Sequence, residues 1–523
     1  MKNNKIVYLA LLAAGIMACE PEFDNEVTNG SYSAGEADFS SYVALGNSLT
    51  AGTMDGTLSC VGQKYSFPSM LAKQFALVGG GEFTQPSFEE DVNNLGGISG
   101  LPGFPTRLII DASAGGPEPI AGTSTITLTQ QKTAYNNMGV PGAKSFHLIA
   151  PGYGDPAGLA TTPISANPYF VRHATAADAT VLGDAMMKAP TFFTNWIGNN
   201  DVLSYTTSGG VGVDQMGNMN PATYGSNDIT DPDVFAGAYS AIINTLTSNG
   251  AKGVVATIPN VTSVPYFTTV PYNPLNAVTL GEGNEAVGLA TIQELNTSLY
   301  GPLSAALDAI GQPGRIGLFS AEGGNPVMIK DESLTNVSVS LTAALVGGGV
   351  DPVTAAGLGM VFGQARQATD ADFVLLPTRS VIGSAPAGAP AMLNKYGITY
   401  PLEDQHVLTA AEASLANAAT VKFNNTIKAI AQSKGLAVAD MNAILAQLTN
   451  GLKTDDGQVY YGNYFSTATL STALFSLDGI HPNARGYAIV TNEIIKVINS
   501  YYKAKLPLVS AGDFPGATVL PSN

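Results

Sequence analysis

With two cysteines, Cys19 and Cys60, in 523 residues the chain has no disulfide framework to rest on, so its core has to come from apolar burial. Basic residues are few as well. Only 23 Lys and Arg stand against 40 Asp and Glu, a formal charge of -17, and no basic stripe with interleaved aromatics occurs, which excludes a nucleic-acid partner. No repeat period or low-complexity tract is present, which excludes a solenoid. Histidine is scarce enough to count: His147, His173, His406 and His481 are the four candidates for imidazole chemistry. What the chain does have is 45% hydrophobic residues, ample for a large core, with 58 Gly and 31 Pro that predict long, irregular connections.

The start of the chain reads as a targeting segment. Lys2 and Lys5 precede an apolar stretch over residues 6–18, about a dozen residues and too short to span a bilayer. Ile16-Met17-Ala18-Cys19 resembles the bacterial lipobox, which implies a signal peptide over 1–18 and acylation of Cys19. An ordinary signal peptide and an uncleaved anchor are the alternatives. Processing would remove both lysines and no acid, taking the charge from -17 to -19. Residues 19–40 are expected to form a flexible acidic tether, too poor in apolar side chains to order itself. The implied location is the bacterial outer membrane, reached through the lipid anchor.

A strand ending in a small polar loop recurs along the chain. Tyr42-Val43-Ala44-Leu45 stops at Gly46, and Asn47-Ser48 follows in a loop closed by Gly52. A helix is predicted over 67–77. Asn136-Asn137-Met138-Gly139-Val140-Pro141-Gly142 reads as a turn whose glycines allow close backbone approach. Residues 189–197 read as a buried strand leading into Gly198-Asn199-Asn200-Asp201. Asp231-Pro232 predicts the start of a helix through Leu246, and 253–258 another strand, so strands and helices alternate as in an α/β protein. Later come helices over 289–310 (broken at Gly301-Pro302), 337–346, 352–364, 410–434 and 441–448, and strands over 373–376 and 436–439. The apolar pair around Gly347-Gly348-Gly349 reads either as core or as a lid or acyl-chain groove. A last helix is predicted over 484–502, then an irregular tail over 506–523.

Serine is a poor nucleophile unless a base takes its proton and an acceptor orients that base. His481 follows Asp478 by three residues, and in a helical turn both would share one face; His406, after Glu403-Asp404, is the competing base. Donors for a developing oxyanion are available at the Ser48 amide, the Gly139 amide and the Asn200 side chain. No Gly-x-Ser-x-Gly occurs, so the nucleophile elbow of the α/β-hydrolases is absent. Asn227, Asp228, Asp231 and Asp233 could gather oxygens for calcium, with helix capping the competing reading.

Gly46-Asn47-Ser48-Leu49, Asn137-x-Gly139, Gly198-x-Asn200-Asp201 and Asp478-x-x-His481-Pro482 resemble, in order, the four blocks of the SGNH (GDSL-type) hydrolases. Asn47 stands where that family usually has Asp, and can make the same turn-type hydrogen bonds. The resemblance implies a three-layer α/β/α, flavodoxin-like fold with a mostly parallel sheet over 41–505, carrying insertions over about 79–133 and 260–405. It further implies ester hydrolysis without metal or organic cofactor. Ser48 would be nucleophile, His481 base, Asp478 its orienting partner, and Gly139 and Asn200 would join the Ser48 amide in the oxyanion hole. Family members act on lipids, acetylated glycans, thioesters and aryl esters. A lipase-like serine esterase is expected, with a carbohydrate O-acetyl esterase or a non-catalytic surface lipoprotein that binds glycan or lipid as alternatives.

Overall fold

Five short runs lie side by side as a parallel sheet: β1 (Tyr42–Gly46), β2 (Asn137–Gly139), β3 (Phe192–Trp196), β4 (Lys252–Ala256) and β5 (Ala437–Ala439). Their spatial order is β2-β1-β3-β4-β5, every neighbouring pair parallel. The computed structural model describes residues 31–111, 117–455, 457–466, 468–470, 472–517 and 519–520. The expected signal peptide, Cys19 and the first part of the tether lie outside the described residues. β1, β2 and β3 are buried along their whole length, which is why β1 reads as an apolar run without alternation.

The helices that the site and the two cores use follow in chain order, with other short helices between: α1 (Ser48–Ala51), α2 (Phe67–Ala76), α3 (Asn200–Thr207), α4 (Pro232–Leu246), α5 (Glu285–Leu295), α6 (Gly301–Ala309), α7 (Ser338–Gly347), α8 (Pro352–Phe362), α9 (Ala410–Lys434), α10 (Met441–Gln447) and α11 (Ala484–Tyr502). On one face of the sheet α2 packs on α11, and Phe75 and Tyr502 set their rings edge-on to Phe192. On the other, α4 packs on α9, with Phe235 stacked on Phe423 at 4.2 Å. Helices therefore cover both faces of the sheet. Their starts are capped as their sequences require: Asp231 accepts from the Asp233 and Val234 amides, and Thr409 with Glu412 forms a capping box.

Residues 270–407 carry a second hydrophobic core of their own. Helices α5 to α8 build it, with short antiparallel pairs, Met328–Lys330 with Ala365–Gln367 and Phe373–Val374 with Val407–Leu408. The expected break at Gly301-Pro302 appears as a π-helical turn, Asn296–Tyr300, that joins α5 to α6 and absorbs the missing proline N–H. α7 and α8 pack on each other and bury Leu341, Leu345, Leu358 and Phe362 in this second core, so the pair is core rather than lid.

Two further expectations need correction. Asn137–Gly139 is an edge strand and not a turn; three residues with a terminal glycine carry no apolar period, and β1 sets their conformation by pairing. Nor is the tail irregular throughout. Asn499 and Asn492 of α11 each clasp its backbone at both edges, Asn499 exchanging hydrogen bonds with Leu506 and Asn492 with Val509. Val519–Leu520 then pairs in parallel with Leu108–Asp111. Amide side chains that mimic a strand leave no signal in hydropathy.

Candidate active site

The register aligns Gly46 with Gly139 on one side and Trp196 on the other, so β1, β2 and β3 end at one edge of the sheet. β1 lies between β2 and β3, so the chain leaves it at the point where the strand order reverses, the usual ligand crevice of an open α/β sheet. Ser48 is the first residue of α1 there. Asn47 caps the turn, its Oδ1 accepting from the Leu49 amide at 3.2 Å, and Gly52 closes it in the left-handed region. Glycine is required at Gly46: an added Cβ would lie 2.1 Å from Thr50 Oγ1 and 2.7 Å from the Trp196 carbonyl. At the first position of a helical turn the Ser48 amide has no intrahelical acceptor and stays available as a donor.

Ser48 and His481, 433 positions apart, meet with Oγ and Nε2 2.8 Å apart. On the other side of the ring Nδ1 lies 2.9 Å from Asp478 Oδ2. With the ring proton on Nδ1, facing the carboxylate, Nε2 is left to accept the serine proton. Residues 478–481 are not a helical turn. Gly479 sits at φ +72°, and Asp478 Oδ1 folds the segment by accepting from the Ile480 and His481 amides, each at 2.8 Å. Burial alone would raise the Asp478 carboxyl, but the His481 charge and these hydrogen bonds hold it down at about 2.

A clasp from the β1 side holds that turn in place. The Gly56 amide donates to Asp478 Oδ2 at 2.9 Å, the Asp55 amide to Ser476 Oγ at 3.0 Å, and the Leu477 amide back to Asp55 Oδ1 at 3.0 Å. From the segment that follows β4 the Tyr266 amide donates to the Gly479 carbonyl at 2.9 Å. Asp55 had no sequence signal, since its partners lie more than 420 positions away.

Of the expected oxyanion donors, two need qualification. The Gly139 amide already donates to Asn137 Oδ1 at 3.1 Å, so a free donor at Gly139 is corrected. What the glycine supplies is room: a Cβ there would lie 2.3 Å from the Ala51 amide nitrogen, directly behind the serine turn. Asn200 uses one N–H on the Ala143 carbonyl at 3.0 Å, leaving its second N–H for another acceptor. Asp201 is fully buried and accepts from the Ser145 amide and hydroxyl, pinning this loop to the one that follows β2. Sequence reading missed the neighbouring Asn199. Its side-chain nitrogen, like that of Asn47, is buried without a hydrogen-bond partner among the described residues.

The other histidines serve elsewhere. His147 Nδ1 accepts from the Lys144 amide and its ring stacks on Tyr153; burial pushes it down to about 3, as it does His173. His406, the competing base, accepts from the Glu403 amide and contacts the Tyr396 ring. Asp228 and Asp231 spend their carboxylate oxygens on the Val213, Gly225, Gly217, Asp233 and Val234 amides, the capping reading. Among the described residues no group of three His, Cys, Asp or Glu could hold a metal, and no helix is long and apolar enough to cross a membrane.

A cavity open to solvent begins at Ser48 and His481. Its walls are apolar and come from the segment after β4, from α10 and from α11. Fold and site together describe an α/β protein with a Ser-His-Asp array at the carboxyl edge of its parallel sheet. Comparison with protein-family models, curated proteins and solved structures finds no match for this chain.

Proposed function

We propose that this chain is a serine hydrolase of the SGNH type that cleaves carboxylic esters through an acyl-enzyme. The observation that carries the reading is the continuous path Ser48 Oγ, His481 Nε2, His481 Nδ1, Asp478 Oδ2, with links of 2.8 and 2.9 Å. The strand order β2-β1-β3-β4-β5, the flavodoxin-like one, supports the same reading.

In the proposed reaction Ser48 Oγ attacks the ester carbonyl carbon while its proton passes to His481 Nε2. The Ser48 amide and the Asn200 side chain donate to the oxygen that gains charge, and Asp478 stabilises the imidazolium. Collapse expels the alcohol, which takes the proton from Nε2. Water then attacks the acyl carbon with His481 again as base, releasing the acid and restoring Ser48. Anchoring through an acylated Cys19 at the outer membrane is part of the same proposal. A lipoprotein that only binds glycan or lipid has no use for a formed Ser48–His481 contact, which disfavours that alternative.

A fluorophosphonate probe is expected to label Ser48. Ser48→Ala and His481→Ala should each lower p-nitrophenyl ester hydrolysis by about 10⁴-fold or more. Unchanged turnover in both variants would remove the proposal.

A further inference from the structure

The cavity at Ser48 differs from the rest of the surface in how little polar chemistry lines it. Four polar side chains, Asn47, Ser48, Asn199 and His481, stand at its reactive end. Beyond them the walls are aliphatic or aromatic: Leu203 from α3, Val261 after β4, Ile444 from α10, Leu448 just after it, and Phe475 and Ile489 from around the His481 turn and α11. Sugar hydroxyls buried in such a space would lose water and gain no partner, so a glycan is a poor occupant. An alkyl chain loses nothing and gains by leaving water.

None of the walls comes from α7 or α8, the most continuously apolar helices of the chain. Those two bury Leu341, Leu345, Leu358 and Phe362 in the second core, while Val339, Val353 and Met360 face solvent.

We infer that the cavity seats the aliphatic chain of the ester substrate, so that the preferred substrates are esters carrying a linear chain of six or more carbons. This rests on the hydrolase reading above. Each methylene moved from water into the cavity should raise kcat/KM about fourfold until the space is filled. Polysaccharide acetyl groups are then poor substrates, since an acetyl offers a single methyl group and the sugar behind it stays outside.

The full-length protein would be given ethyl acetate, methyl octanoate and octyl acetate, with acetylated xylan alongside. Methyl octanoate or octyl acetate, whichever places its chain in the cavity, should exceed ethyl acetate by at least about a hundredfold in kcat/KM. Leu445 lines the cavity and is only half-buried, so Leu445→Trp should fold and lower the ratio of long to short substrate by about tenfold or more. Ile444→Ala, which removes wall without adding bulk, should lower it several-fold. Equal rates on all three esters, or preference for acetylated xylan, with activity still lost in Ser48→Ala, would overturn the chain inference and leave the hydrolase standing. An unchanged ratio in both wall variants would overturn it too. No cleavage of any ester would remove both readings.

Discussion

Two sets of buried carboxylates, Asp331 and Asp372 in the unit over residues 270–407 and Asp478 and Asp55 in the sheet unit, are held in opposite ways. In the inserted unit Arg366 bridges Asp331 and Asp372, the latter through two nitrogens, at 2.6 to 2.8 Å. Both carboxyls are held below their usual range despite burial. At the sheet edge no such cation is bound to Asp478; backbone amides and His481 hold it ionised, and the nearby Asp55 is pushed up to about 6. Around Arg366 a guanidinium neutralises both carboxylates. The sheet edge leaves a carboxylate whose main counter-charge is the imidazole it orients. A second difference lies in where apolar space is left: α7 and α8 of the inserted unit line none of the cavity, whereas the sheet unit leaves an apolar space open beside a nucleophile.

The largest expected effect tests whether the inserted unit is only scaffold. Phe362 on α8 is fully buried in the second core. Phe362→Ala should cost about 3–5 kcal/mol of stability, read by chemical denaturation. If the units divide labour as described, the ratio of long-chain to short-chain ester turnover stays the same below the unfolding transition. A changed ratio would mean that α8 shapes the substrate cavity after all.

Slightly smaller, and on the other side of the comparison, is the loss of an oxyanion donor. Asn200→Ala should lower kcat by about 10²–10³-fold, or about 2.7–4 kcal/mol, with KM little changed. Asn199→Ala is the sharper case, because its unpaired amide nitrogen is either a second donor to the transition state or a plain cost of packing. A kcat loss in Asn199→Ala of the same order as in Asn200→Ala would assign it the first role. A gain in stability with unchanged kcat would assign it the second.

How far the sequence anticipated this molecule depends on how local each feature is. β1, β3, β4 and the helices α2, α4, α9 and α11 were legible because apolar runs, Pro at a first turn and capping residues act within a few positions. Ser48, Asp478 and His481 were legible as short blocks in order, although the turn that joins the last two is an Asp-capped bend around Gly479 and not a helix. β2 was illegible because pairing with β1 alone makes it a strand. Asn199 looked like any loop asparagine until burial left its nitrogen without a partner. Of the two readings of the most apolar helices the core one holds and the groove one does not, and the cavity's own walls carried no signal. A cavity is made where apolar residues from distant segments fail to meet, and no window of sequence records that.

The smallest expected effect lies at the seam, in Asp55. Burial raises its carboxyl to about 6 against the pull of the Leu477 amide, the Asp478 charge adds to the rise, and Arg107 opposes it. The fold therefore favours protonated Asp55, whose ordinary value is 3.8. The sign follows: this group's contribution to stability is present below about 4, is lost as pH rises through about 6, and is constant above that. Asp478, held at about 2, works the other way and is lost only in strong acid. Asp55→Asn keeps an oxygen for the Leu477 amide and has no proton to lose. Relative to the parent protein it should become more stable by about 1–2 kcal/mol between pH 4 and pH 7, allowing for partial exposure. The measurement is the difference between the two denaturation curves at each pH, so that carboxylates common to both cancel. A difference independent of pH would mean that the fold leaves the Asp55 carboxyl at its ordinary value; an Asp55→Asn variant that loses relative stability as pH rises would mean that Asp55 is paired like the aspartates around Arg366, and the contrast would fail at this position.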